Sequence, residues 1–154
     1  MYSLAEKVIA ALTTRGMRIA TCESLTGGLI CASLVDVPGA SRVVRGGLIT
    51  YQTDTKSLLA DVPAALIDAH GVVSAQVASA MAEGVRRRLD VDVAVSATGM
   101  ASPGTPEDPP AGTVFVGVST GTETRVAALH LAGSREEIRR ETVRRALLAV
   151  LDML

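Results

Sequence analysis

The chain has 154 residues, 48% of them hydrophobic, enough for one domain with its own core, and the whole length is expected to form a single domain. Its 15 basic and 16 acidic side chains leave a net charge of −1, and aromatics make up 2%, so it offers neither a field for a polyanion nor stacking platforms for bases; nucleic acid is not an expected partner. Two cysteines, Cys22 and Cys31, are too few for a disulfide framework, and neither a leader pattern nor an apolar run near roughly 20 residues is present, which predicts a soluble cytoplasmic protein with no membrane association.

Leu4, Val8, Ile9 and Leu12 recur at helical spacing before Gly16, predicting an amphipathic helix over 3–15. A strand is predicted from Met17 to Cys22 and a helix from Leu25 to Val35, closed by Pro38-Gly39. Val43 to Tyr51 reads as a strand, followed by short helices over Lys56–Ala60 and Ala64–His70. Ser74 caps a predicted helix from Ala75 to Leu89, and Val91–Ala97 is an apolar strand. Thr113–Ser119 and Thr124–His130 read as an antiparallel pair, and Arg135–Leu154 as a final helix. The alternation predicts an α/β fold, a three-layer α/β/α sandwich with a mixed, mostly parallel sheet. Between Thr98 and Gly112 lies a loop with four prolines, long enough to read as a binding loop or lid at the end of a central strand, or else as a tolerated surface insertion.

Cys22-Glu23-Ser24-Leu25-Thr26-Gly27-Gly28 stands at a strand-to-helix turn, where a hydroxyl can sit beside free backbone N–H groups. Taken alone, a serine there is more often an N-cap than a nucleophile. No phosphate loop, dinucleotide fingerprint, H-E-x-x-H or G-x-S-x-G motif is present, and His70 and His130 stand apart, so a metal site or a histidine triad is not expected. A serine nucleophile would then need a lysine neutralised by burial. Of the two lysines, Lys7 lies on the first helix and reads as solvated; Lys56 follows Tyr51 after a strand end, where a phenol could relay a proton. The Tyr-x-x-x-x-Lys spacing on its own fits a surface pair better. Cys22, two residues from Ser24 along a strand, could share its side of the sheet and is a rival nucleophile.

The ordered set Glu23–Gly28, Gly46–Tyr51 with Lys56, His70–Ser74, Ala97–Ala101 and Gly112–Val114 resembles the family of the C-terminal domain of the competence/damage-inducible protein CinA, whose members include nicotinamide mononucleotide deamidases. The resemblance runs from about residue 4 to about residue 150. It implies cofactor-independent, metal-free hydrolysis of the carboxamide of nicotinamide mononucleotide to nicotinate mononucleotide and ammonia, a step of pyridine nucleotide salvage. It implies catalytic roles for Ser24, Tyr51 and Lys56, with Lys56 acting directly or through Tyr51. Glu23, Thr26, Gly27, Gly28, Thr98, Gly99 and Arg139 form the implied substrate-binding set, with N–H groups around Thr26 to Gly28 as oxyanion donors. Glu23 either favours the helix N-terminus or holds Lys56 charged, and Arg135 and Arg139 are candidates for the phosphate. A homo-oligomer is expected.

The sequence departs from the family in the long loop, where Ala101-Ser102-Pro103-Gly104-Thr105-Pro106 replaces a glycine-rich run, at Pro109, where many members have a lysine, and at Ser134, where an aspartate is usual. Two alternatives accompany the amidase reading: a non-catalytic nucleotide-binding or regulatory module, and an amidase for another small amide.

Overall fold

The computed structural model describes residues 1–154. The first helix, α1 (Tyr2–Arg15), buries Ala5, Val8, Ile9 and Leu12 and stops at Gly16, whose left-handed φ of 62° turns the chain. Then come β1 (Ile19–Glu23), α2 (Leu29–Val35), a short 3-10 turn, β2 (Val44–Ile49), α3 (Thr53–Ala60), α4 (Ala64–His70) and α5 (Ala75–Arg88). Strands β3 (Val93–Gly99), β4 (Thr113–Ser119) and β5 (Thr124–His130) precede α6 (Arg135–Met153). Ser134 and Glu137 close α6 with a reciprocal capping box, and Ser74 accepts from the Val77 N–H at the start of α5. No helix is long and apolar enough to cross a membrane.

The five strands form one sheet in the order β2-β1-β3-β4-β5. β1 is parallel to both β2 and β3, whereas β4 is antiparallel to its neighbours β3 and β5, so only β4 runs against the common direction. Alternation along the strands divides the core in two. Ile19, Val93, Val95, Val114 and Val116 pack with α1, α2 and α6; Ala20, Cys22 and Ala94 pack with α3 and α5 on the opposite face. This is the expected α/β/α layering.

Several boundaries differ from the sequence reading. β1 starts two residues late and includes Glu23, and β2 ends at Ile49. Val91 is outside β3, because Asp90 turns at φ 49° and the Val91 N–H bonds back to Arg86. α3 starts at Thr53. α2 starts at Leu29 instead of Leu25, since Gly27 and Gly28 adopt φ of 58° and 104°, a left-handed pair that no helix accommodates. Residues 25–28 are therefore a turn, and that turn carries the site.

Candidate active site

The topology reverses at β1: the chain leaves it through α2 on one face to reach β2, then crosses the other face through α3–α5 to reach β3. Such a switch point opens a crevice at the carboxyl ends of the strands. Glu23-Ser24 ends β1, Thr50-Tyr51 follows β2, and Thr98-Gly99 ends β3, so all three reach the same crevice. The Ser24 N–H extends the sheet pairing to the Ala97 carbonyl at 2.9 Å, and the Thr50 N–H donates to the Glu23 carbonyl at 2.8 Å.

The period of two along β1 then sorts the side chains. Glu23 points to the α2 face and Ser24 to the α3 face, where Lys56 waits. Lys56 is 1% exposed, and its Nζ donates to Ser24 Oγ at 3.1 Å, to the Thr50 carbonyl at 2.7 Å and over 3.5 Å to the Tyr51 carbonyl. Burial pushes its amine below the ordinary lysine range, opposed by the weaker influence of the Cys22 thiol. The two carbonyls and the hydroxyl oxygen can take the three N–H groups of an ammonium, and the same contacts serve a neutral amine once the hydroxyl turns its proton to the nitrogen lone pair. Burial is what favours the deprotonated form beside the serine.

Glu23 does not hold Lys56 charged. Its buried carboxylate accepts from Gly28 and Ile30 N–H at 3.1 and 3.0 Å through Oε2 and from Cys31 N–H at 2.8 Å through Oε1, capping α2 from inside. The carboxylate is therefore committed to the fold and not to a substrate. The Gly27 N–H is likewise committed, to the Ser24 carbonyl at 3.1 Å. This corrects the expectation that N–H groups of both glycines serve an oxyanion: in the stretch from Ser24 to Cys31, only Leu25 and Thr26 carry N–H groups with no acceptor in the chain.

Arg139, expected among the substrate contacts, instead holds this turn. Its Nε donates to the Leu25 carbonyl at 2.9 Å and its Nη2 to the Thr26 carbonyl at 3.2 Å. In a trans peptide the N–H points opposite to its C=O, so fixing the Leu25 carbonyl turns the Thr26 N–H away from Arg139. Nothing in the spacing of α6 signals this role; it arises from a partner 114 residues away in sequence.

Tyr51 is 59% exposed and its phenol accepts from Arg135 Nη2 at 3.0 Å; only its main-chain carbonyl faces Lys56. The phenol therefore does not stand between amine and serine, and the direct Lys56–Ser24 contact replaces the relay. Thr98 donates its hydroxyl to the Val72 carbonyl at 2.8 Å, tying the end of β3 to the loop before α5. Gly99 lies so close to β4 that a Cβ there would fall 2.7 Å from the Thr113 carbonyl oxygen. In the long loop, Asp108 holds the Thr105 N–H and hydroxyl, and Ser102 accepts from Arg135 Nη1 at 3.0 Å. Cys22 does share the Ser24 side, in contact with Thr50 Oγ1 at 3.6 Å, and burial pushes its thiol up to about 11. Lys7, His70 and His130 are exposed, and no three His, Cys, Asp or Glu side chains converge to hold a metal ion.

A family model described as the CinA C-terminal domain matches residues 1–154. A protein of Limosilactobacillus reuteri named as competence-damage inducible is 44% identical over 140 residues, covering 89% of this chain and 34% of that protein. One of the same name from Halalkalibacterium halodurans is 39% identical over 153 residues, covering 99% and 36%. The chain thus spans about a third of the length of these curated relatives. Among solved structures, the competence/damage inducible protein CihA from Agrobacterium tumefaciens superposes with a TM-score of 0.94 at 34% identity, over 98% of this chain and 93% of that one. A CinA superfamily protein from Escherichia coli gives 0.95 at 30%, over 98% and 88%.

Proposed function

Because the chain belongs to the CinA C-terminal domain family, we propose that it hydrolyses the carboxamide of nicotinamide mononucleotide through a serine nucleophile served by a lysine base. The observation that carries this reading is the 3.1 Å contact between Ser24 Oγ and the buried Lys56 Nζ, with no carboxylate bonded to the amine.

Ser24 Oγ attacks the carboxamide carbon as Lys56 Nζ removes its proton. Negative charge collects on the carbonyl oxygen, and the Leu25 and Thr26 N–H groups, which have no acceptor within the chain, are the donors free to receive it. Collapse breaks the C–N bond, Lys56 passes the proton to the departing nitrogen, and ammonia leaves an acyl-serine ester. Water attacks the ester while giving a proton to Lys56, which returns it to Ser24 Oγ as the carboxylic acid forms and releases its remaining proton to solvent as the carboxylate. Arg139 fixes the turn throughout, and the Thr50 carbonyl anchors the amine.

Ammonia release from nicotinamide mononucleotide by the purified protein tests the reading. Ser24→Ala should abolish release, and Lys56→Ala should lower the rate roughly 10²-fold or more. Release undiminished in Ser24→Ala would overturn the serine mechanism. Binding without release by the unaltered protein would favour the non-catalytic module, and release from simple amides but not from the mononucleotide would favour another substrate.

A further inference from the structure

The segment Gly71-Val72-Val73-Ser74, between α4 and α5, has no part in the proposed chemistry, yet it is fastened along its length. The Gly71 N–H closes α4 on the Ile67 carbonyl at 2.7 Å, with Gly71 at φ 79°. Ser74 donates its hydroxyl to the Gly71 carbonyl at 2.9 Å and accepts from the Val77 N–H at 3.2 Å. Thr98 donates to the Val72 carbonyl at 2.8 Å. A short connection tied in this way presents a fixed surface, and the two side chains at its centre are β-branched and stiff at χ1. Both valines are half-buried and belong to neither hydrophobic core. The anchoring therefore holds in place an apolar surface that the packing of the fold does not use.

Thr98 puts that surface beside the nucleophile. β1 and β3 run parallel with Glu23 opposite Ala97, so the residues that follow, Ser24 and Thr98, are neighbours. The period of two turns Thr98 to the face of Ser96, whose hydroxyl reaches the Ala78 carbonyl of α5, and Cys22 and Ser24 share that face. On the β2 side of Ser24 stand polar groups, the Lys56 amine and the Thr50 and Tyr51 carbonyls that hold it. On the β3 side, beyond Thr98, stand the two valines. A polar reacting centre bordered by a rigid apolar wall suits an amide carried on a flat ring, which covers the wall, better than a short aliphatic amide, which leaves it wet.

We propose that Val72 and Val73 are specificity-determining residues: they pack against the ring of the substrate while its carboxamide reaches Ser24, so that the site selects amides of aromatic acids. The assignment rests on the amidohydrolase reading for the fate of the carboxamide, whereas the wall itself recognises the ring.

Calorimetric titration of the Ser24→Ala protein, which leaves ligands unconsumed, tests it with nicotinamide mononucleotide against ribose 5-phosphate, which lacks the ring and its amide. The mononucleotide should bind more tightly. Adding Val72→Ala and Val73→Ala together should weaken the mononucleotide about tenfold or more and leave ribose 5-phosphate within about twofold. The pair Val72→Thr and Val73→Thr, which keeps the shape and loses apolar character, should show a smaller loss in the same direction. No preference for the mononucleotide, a preference that survives both pairs unaltered, or an equal loss for both ligands would overturn the wall. The two readings fail separately. A valine-dependent preference for the ring with no ammonia release by the unaltered protein sustains the wall and defeats the amidase, whereas release with no dependence of binding on the valines does the opposite.

Discussion

Lys56 is the base in the proposed reaction, and its burial has a pH signature. Since burial disfavours the ammonium, the neutral amine predominates at lower pH than for an ordinary lysine at about 10.4. kcat/KM for ammonia release should rise with pH along an acid limb whose inflection lies below that value; a flat profile would remove Lys56 as the base. The same shift touches stability with a definite sign. Between the lowered folded value and the ordinary one, the unfolded chain binds the extra proton, so Lys56 makes the fold more stable as pH rises through that window. Cys22 has the opposite character: held as a thiol up to about 11, it has almost no thiolate at neutral pH. Cys22→Ala should keep at least about half the ammonia-releasing activity, and loss comparable to Ser24→Ala would make the thiol the nucleophile after all. The Ser24–Lys56 contact was legible only in part: the turn at Ser24-Leu25-Thr26-Gly27-Gly28 and the scarcity of lysines singled out the two residues, but on their own they fitted an N-cap and a surface lysine better, and the family resemblance was what paired them. The direction of the Tyr51 phenol was not legible, because a spacing of five residues across a strand end fixes no side-chain orientation.

At the level of elements, apolar spacing together with Gly, Pro and cap signals identified the six α-helices and five strands but not the 3-10 turn at Ala40–Arg42, and turn chemistry displaced their ends. The late start of α2 depended on two left-handed glycines and on a carboxylate reaching forward from β1, and neither leaves a periodic trace. A different glycine governs where Lys56 stands. Gly84, in α5, packs so closely on the end of α3 that an added Cβ would fall 1.7 Å from the Ala60 carbonyl oxygen. Replacing a helical glycine by alanine ordinarily stabilises by roughly 0.5–1 kcal/mol. Here the overlap reverses the sign, because α3 must move away from α5 and carry Lys56 with it. Gly84→Ala should lose about 1–3 kcal/mol in chemical denaturation and lower kcat far more than KM; unchanged stability and turnover would show that α3 does not depend on this contact.

For the molecule as a whole, the sheet separates a larger core under α1, α2 and α6 from a smaller one under α3 and α5, and the site lies where their ends meet. Leu147, fully buried on α6, belongs to the larger core. Leu147→Ala should cost about 2–5 kcal/mol, lowering the melting temperature by about 2–4 °C per kcal/mol for a protein of this size; a shift under one degree would mean that α6 contributes little to that core. The layering was legible because alternation and helix spacing follow from burial. The joining of Arg139 to the Ser24 turn was not, since it depends on how α6 docks. That long-range clasp makes the shape of the Ser24 turn conditional on the docking of α6. β1 and α3 bring Ser24 and Lys56 together, yet the Leu25 and Thr26 carbonyls stay unpinned wherever α6 is loosened, so a change that never touches the crevice can still disorganise it.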